Sequence, residues 1–178
     1  SNGAMAGTVG RGLQLEAIKI NVKSDADIGV IYTTHVKNDG WLGNSFNGEQ
    51  SGTTGQNKHV EALMLKLTGK DADKYDIYYR VHAQNYGWLA WAKNGEAAGT
   101  SGYAYRLEAI QIVVTAKGDM APTVFYGGYT SNNAKAYISK TSTVPIINTN
   151  ASVRYQSHVS NIGWQSAVEN GSLSGTTG

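Results

Sequence analysis

The chain has 178 residues, 16% of them charged, with a net charge of +2, 22 Gly and no Cys. So few charges, with no Lys/Arg stripe, give nucleic acid little to hold, and the missing thiols exclude a disulfide framework and a thiolate metal site. No apolar run approaches the roughly 18 residues of a membrane span, and 11 Tyr and 4 Trp point to a surface that works through rings, hydroxyls and amides.

In chain order, the first element is an alternating strand, Leu13 to Ile20, preceded by a Gly-Thr-x-Gly turn at Gly7, Thr8 and Gly10 and carrying Glu16. A β-rich stretch, Val30 to Tyr32, then leads to His35, Asn38, Gly40 and Trp41. Asn47-Gly48 follows, a strong two-residue hairpin signal because both central positions of a type I′ turn need positive φ. Gly52, Thr53 and Gly55 mark a second tight turn, and His59 to Leu65 is a second alternating strand carrying Glu61.

The series then repeats. From His82 it reads Asn85, Gly87, Trp88, Asn94, Gly95, Gly99, Thr100, Gly102 and Glu108, with every spacing kept. From His158 it reads Asn161, Gly163, Trp164, Asn170, Gly171, Gly175, Thr176 and Gly178. The opening residues Asn2, Gly3, Gly7, Thr8, Gly10 and Glu16 occupy the same register. Each unit is too small to bury a core alone, so the units must share one.

No window shows an apolar helical stripe, so the chain reads as all-β with internal pseudo-threefold symmetry, of the β-prism or β-trefoil type. Residues 1–117 hold a back half-unit and two full units. Residues 118–152, with both Pro and a Gly-Gly, read as a linker or strap on which Tyr137-Ile138 and Val124-Phe125-Tyr126 are candidates to dock. Residues 153–178 hold a front half-unit, expected to complete the threefold domain by pairing with residues 1–20, within one chain or exchanged in a strand-swapped dimer. The whole reads as a piece of a longer protein.

The strings His-Val-x-Asn-x-Gly-Trp (35–41 and 158–164), Gly-Thr-Thr-Gly and Arg106-Leu107-Glu108-Ala109-Ile110 resemble the clostridial hydrophobic repeats with a central Gly-Trp, the ChW family. That resemblance implies a secreted or surface-bound Gram-positive protein, whose repeats attach it to polysaccharide, cell wall or other surface partners.

Trp41, Trp88 and Trp164 have two readings: flat faces for a sugar ring, or indoles tucked into the shared core beside a Gly. His35, His82 and His158 with Glu16, Glu61 and Glu108 read as a buried hydrogen-bond network, Glu accepting from turn N–H groups and His bridging strands. No metal-site or nucleophile motif accompanies them, so no catalytic residue, metal or cofactor is expected. Positions where the units differ are more informative. Trp91 stands where Asn44 and Ala167 do, and Tyr103 and Tyr105 stand where Gln56 and Lys58 do. With Arg80, Tyr78 and Asn85 they suit a carbohydrate or peptide, or else an interface with a neighbouring unit or the strap. The expected function is a non-catalytic binding module for carbohydrate or cell-wall polymer at the cell surface. A protein–protein adhesion module is the other reading, and no enzyme is expected.

Overall fold

The structure is a computed structural model that describes residues 2–122, 131–141 and 146–147. It also describes the backbone of four two-residue strands at 154–155, 158–159, 163–164 and 168–169. Two compact units emerge, 1–147 and 148–178. The described elements are strands apart from one 3-10 turn, and nearly all pair antiparallel, so the all-β expectation holds.

The opening half-repeat supplies β1 (Met5–Gly7) and β2 (Ala17–Lys19). The first full repeat runs through β3 (Gly29–Val36), β4 (Gly40–Trp41), β5 (Ser45–Phe46), β6 (Gln50–Gly52) and β7 (Val60–Thr68). After a 3-10 turn at Ala72–Lys74 the second repeats this order as β8 (Tyr75–Ala83), β9 (Gly87–Trp88), β10 (Ala92–Lys93), β11 (Ala98–Ser101) and β12 (Leu107–Ala116). The strap contributes β13 (Tyr137–Ser139).

Local chemistry explains the repeated hairpins. Asn47 and Gly48 take φ of 20° and 89°, and Asn94 and Gly95 take 48° and 98°. The Asn side chains also work: Asn47 Oδ1 accepts from the Val30 N–H at 2.8 Å and Asn94 Oδ1 from the Ile77 N–H at 2.9 Å. Tyr32 and Tyr79 each donate a hydroxyl to the carbonyl just past their turn, Glu49 and Glu96 respectively. A Gln would be too long and an Ala would leave the strand N–H unpaired, so Asn is specified twice over.

Two sheets form, one in the order β1-β12-β8-β10 and the other β13-β11-β7-β3-β4, with β2 on β6 as a separate pair. Their long strands share one core in which Val30, Tyr32, Leu63, Leu65, Ile77, Tyr79, Val81 and Leu107 are fully buried. The repeats dock on one another in a directed way. Gly52 of the first full repeat lies opposite Ala17 of the opening half-repeat, Gly99 of the second opposite Ala62 of the first, and Gly7 of the opening one opposite Ala109 of the second. The three contacts return to their start. Each Gly sits at positive φ, and a Cβ there would lie 2.3 Å (Gly7, Gly52) or 2.4 Å (Gly99) from a carbonyl oxygen of Glu108, Glu16 or Glu61. Only a glycine admits that approach.

The strap residue pair Tyr137-Ile138 docks as anticipated, but by parallel pairing of β13 with β11 (Gly99↔Tyr137). Val124-Phe125-Tyr126 lies outside the described residues. In the described strands residues 1–20 pair with β12 and β6. Most of residues 153–178, and with them the expected closure onto residues 1–20, lie outside the described residues.

Asp76 clamps one end of the second full repeat. Its buried carboxylate meets Lys93 Nζ at 2.9 Å and Lys117 Nζ at 3.1 Å, and accepts from Asn94 Nδ2 at 2.8 Å. Burial opposes its ionisation, yet the bonds from Asn94, Lys93, Lys117 and the Gly118 N–H outweigh it and hold the carboxyl below the usual 3.8. The native state therefore binds this proton less readily than the unfolded chain. The resulting stability is complete above about pH 4 and drains away as pH falls below it. Melting curves from pH 5 down to pH 2 should fall more steeply for the parent than for Asp76→Asn.

Candidate binding surface

The invariant residues converge in each full repeat. The register places His35 opposite Trp41 and His82 opposite Trp88, and the backbone pairs His158 with Trp164 in the same way. The rings meet edge to face, at 5.4 Å and 78° for His35–Trp41 and 5.6 Å and 82° for His82–Trp88. Behind each His stands a buried carboxylate: Glu61 Oε2 lies 3.0 Å from His35 Nδ1 and Glu108 Oε2 3.1 Å from His82 Nδ1. His59 Nε2 approaches Glu61 at 3.5 Å, and burial holds that imidazole's pKa below 6.5 although Glu61 pulls the other way. Arg106 Nη2 donates to Glu108 at 2.7 Å. Glu16 accepts from Gln14 at 2.8 Å and from the Gly55 N–H at 3.1 Å, so it ties the opening half-repeat to the Gly-Thr-x-Gly turn of the next. A carboxylate–imidazole pair has the makings of a general base. Here each carboxylate is buried and the imidazole lies between it and the edge of the repeated Trp ring. The side chains of His158 and Trp164 lie outside the described residues.

The differing residues separate into two layers. Arg80 is 3% exposed and Trp88 2%. The Arg80 guanidinium lies 4.8 Å from the ring centroids of both Trp88 and Trp91, and its Nε donates to Gln111 at 2.8 Å. Burial lowers its pKa, but a guanidinium stays charged at any working pH. The strap completes the enclosure: Ser131 Oγ lies 3.4 Å from Arg80 Nη1 and donates to the Leu89 carbonyl at 3.0 Å, while Asn132 Oδ1 accepts from the Trp88 N–H at 3.0 Å. Trp88 and Arg80, both named as ligand-facing candidates, are thus buried, with the Arg80 guanidinium set against the Trp88 and Trp91 rings. Trp91 is half-buried beside them. Trp41 is also half-buried, 6.5 Å from Tyr137 of the strap.

The second layer remains open to solvent. Tyr103 and Tyr105 stack at 5.6 Å and 24°, and Tyr86 meets them edge-on at 6.5 and 5.9 Å. All three are half-buried, with exposed Asn85 adjacent. Tyr86 rides on the β8–β9 turn, whose Asn85 takes φ of 67°. Tyr103 and Tyr105 flank Ala104, held at φ of 56° where its counterpart Asn57 takes 53°. Asn tolerates that conformation, whereas Ala bears a cost of roughly 1–2 kcal/mol. Lys140 Nζ lies 4.8 Å from the centre of the Tyr103 ring.

In the first full repeat the counterparts of Tyr86 and Tyr105 are Asp39 and Lys58, which form an ion pair at 2.7 Å. The same two positions thus carry a charged latch in one repeat and aromatic rings in the other. Tyr86 and Lys140 escape a reading that compares Trp91, Tyr103 and Tyr105 with their counterparts. The exchange of Asp39 for Tyr86 was the available signal. Among the described residues no group of three or more His, Cys, Asp or Glu is placed to hold a metal ion.

These features define an all-β module built from a repeated His–Trp–Glu frame, with a Tyr cluster on its second full repeat that the first full repeat lacks. The chain belongs to the clostridial hydrophobic W (ChW) family, whose family model matches residues 1–24, 35–69, 82–116 and 158–178. No curated protein and no solved structure matches it.

Proposed function

We propose that this chain is a non-catalytic binding module of an extracellular or cell-surface Gram-positive protein, holding a carbohydrate or cell-wall polymer on the aromatic face of its second full repeat. The Tyr86–Tyr103–Tyr105 cluster carries this reading, because the frame does without it in the first repeat. The apolar C–H face of a sugar ring packs on such rings while its hydroxyls reach neighbours such as Asn85. Lys140 adds an anion partner, which suits a polymer bearing phosphate or carboxylate groups. The three Gly-over-Ala contacts support a pseudo-threefold ring of the prism or trefoil kind as the scaffold.

Clustered Tyr also favours protein partners, so adhesion to a surface protein is the second reading. Sedimentation with protease-treated Gram-positive cell walls, together with a glycan array, separates the two. The expected result is wall binding that Tyr103→Ala/Tyr105→Ala weakens about tenfold or more, a loss near 1.4 kcal/mol. Binding confined to walls that retain their proteins would favour adhesion and overturn the glycan reading.

A further inference from the structure

The tyrosine face takes its cation from the strap. Lys140 follows β13, and its backbone is held on the second full repeat. The Lys140 N–H donates to the Ser101 carbonyl at 3.2 Å, and Ser101 Oγ lies 2.7 Å from both Tyr137 Oη and Ser139 Oγ. The lysine stem then crosses Gly102, where a Cβ would stand 3.3 Å from the Lys140 Cβ. That path delivers the ammonium to the Tyr103 ring at 4.8 Å, on a residue that is exposed.

The ammonium keeps its charge for a ligand, because a ring face holds a cation in place without neutralising it. Among the described residues Lys140 pairs with no carboxylate. Residues 131–141 hold two Lys and no Asp or Glu. In the first full repeat Asp39 neutralises Lys58 at 2.7 Å, whereas Tyr86 stands in the place of Asp39 in the second. Arg106, next to Tyr105, donates to Glu108.

We propose, on the reading that this face holds a sugar polymer, that the polymer is an anionic one and that binding it locks the strap onto the second full repeat. A sugar ring on Tyr86, Tyr103 and Tyr105 whose phosphate or carboxylate meets Lys140 touches repeat and strap at once. A docked strap therefore raises affinity for the polymer, and by linkage the polymer stabilises the docked strap by the same factor. Two amides report on that docking. The Ala90 N–H donates to the Lys135 carbonyl at 3.1 Å and the Gly99 N–H to the Ala136 carbonyl at 2.9 Å.

The test uses the full chain and protease-treated Gram-positive cell walls in three forms: intact, freed of phosphodiester-linked polymers by hydrofluoric acid, and amidated at their carboxylates. One of the two treatments should weaken binding about tenfold or more, the worth of a charge-assisted hydrogen bond, and which one does so tells phosphate from carboxylate. Lys140→Gln should lose as much on intact walls, and Lys140→Arg should retain binding. In soluble fragments released from the walls by a muramidase, hydrogen exchange at Ala90 and Gly99 should slow about fivefold or more. The Leu42 N–H, bonded within the first full repeat to the Thr34 carbonyl, serves as the control. Equal binding to all three walls, or slowing at Ala90 and Gly99 no greater than at Leu42, would overturn the proposal and leave the glycan reading standing. Failure to bind intact walls would overturn both.

Discussion

Trp88→Ala should lower the unfolding free energy by about 3–5 kcal/mol, the cost of truncating a buried aromatic. For a chain of this length that corresponds to a fall in Tm of roughly 6–20 °C. Three losses combine. The cavity opens in a site that is 2% exposed. The His82 ring loses its edge-to-face partner. Arg80, buried against two indoles, loses one of the two rings its guanidinium faces, and a buried cation stripped of a favourable face is costly. Trp41→Ala should cost less, because Trp41 is half-buried and its counterpart of Arg80 is the neutral Thr33. Calorimetry of the two variants checks the order as well as the size.

Much of this frame was legible in the residues because its signals are local. Asn47-Gly48 and Asn94-Gly95 announce their turns through backbone conformation, and the alternation in 59–65 and 106–112 announces strands, which the structure buries on both faces over their first five or six residues. A network of the repeated His and Glu was legible because their spacing recurs; its expected bond from Glu to a turn N–H is seen at Glu16 and Gly55, whereas Glu61 and Glu108 face His35 and His82. What stayed hidden is non-local. Nothing near Trp88 or Trp41 says that the strap bonds Ser131 and Asn132 to the Leu89 and Trp88 backbone and sets Tyr137 beside Trp41. Burial of Arg80 depends in the same way on Trp91 and Gln111, brought together by the β8–β12 register. Parallel pairing of β13 with β11 leaves no period in the sequence. The Tyr86–Tyr105 contact becomes visible only when Asp39 and Lys58 are seen to touch.

Gly99→Ala should be the other severe substitution. At φ of 125° the new Cβ would meet the Glu61 carbonyl oxygen at 2.4 Å and the Ala62 Cα at 2.6 Å, both of them backbone atoms. Strained φ costs about 1–2 kcal/mol and overpacking about 1–3 kcal/mol, so a loss on the order of 2–5 kcal/mol is expected. Gly55→Ala isolates the conformational part. Gly55 has φ of 69° with nothing within 4 Å of its Cβ position, so only the roughly 1–2 kcal/mol of left-handed backbone remains. Urea unfolding of the pair separates strain from contact. Equal losses would mean that the second full repeat does not rest on Ala62.

The account rests on a division between an invariant frame that holds the fold and differing residues that meet the partner. Calorimetry of Glu61→Ala beside Tyr103→Ala tests that division directly. Glu61 is 3% exposed, and its removal takes away the carboxylate that lies 3.0 Å from His35 Nδ1 and 3.5 Å from His59 Nε2. Unpaired buried donors cost about 1–3 kcal/mol, so Tm should fall by roughly 2–12 °C. Half-buried Tyr103 is not part of the frame, and its variant should melt within about 2 °C of the parent. A Glu61→Ala chain that melts with the parent while Tyr103→Ala collapses would contradict the division.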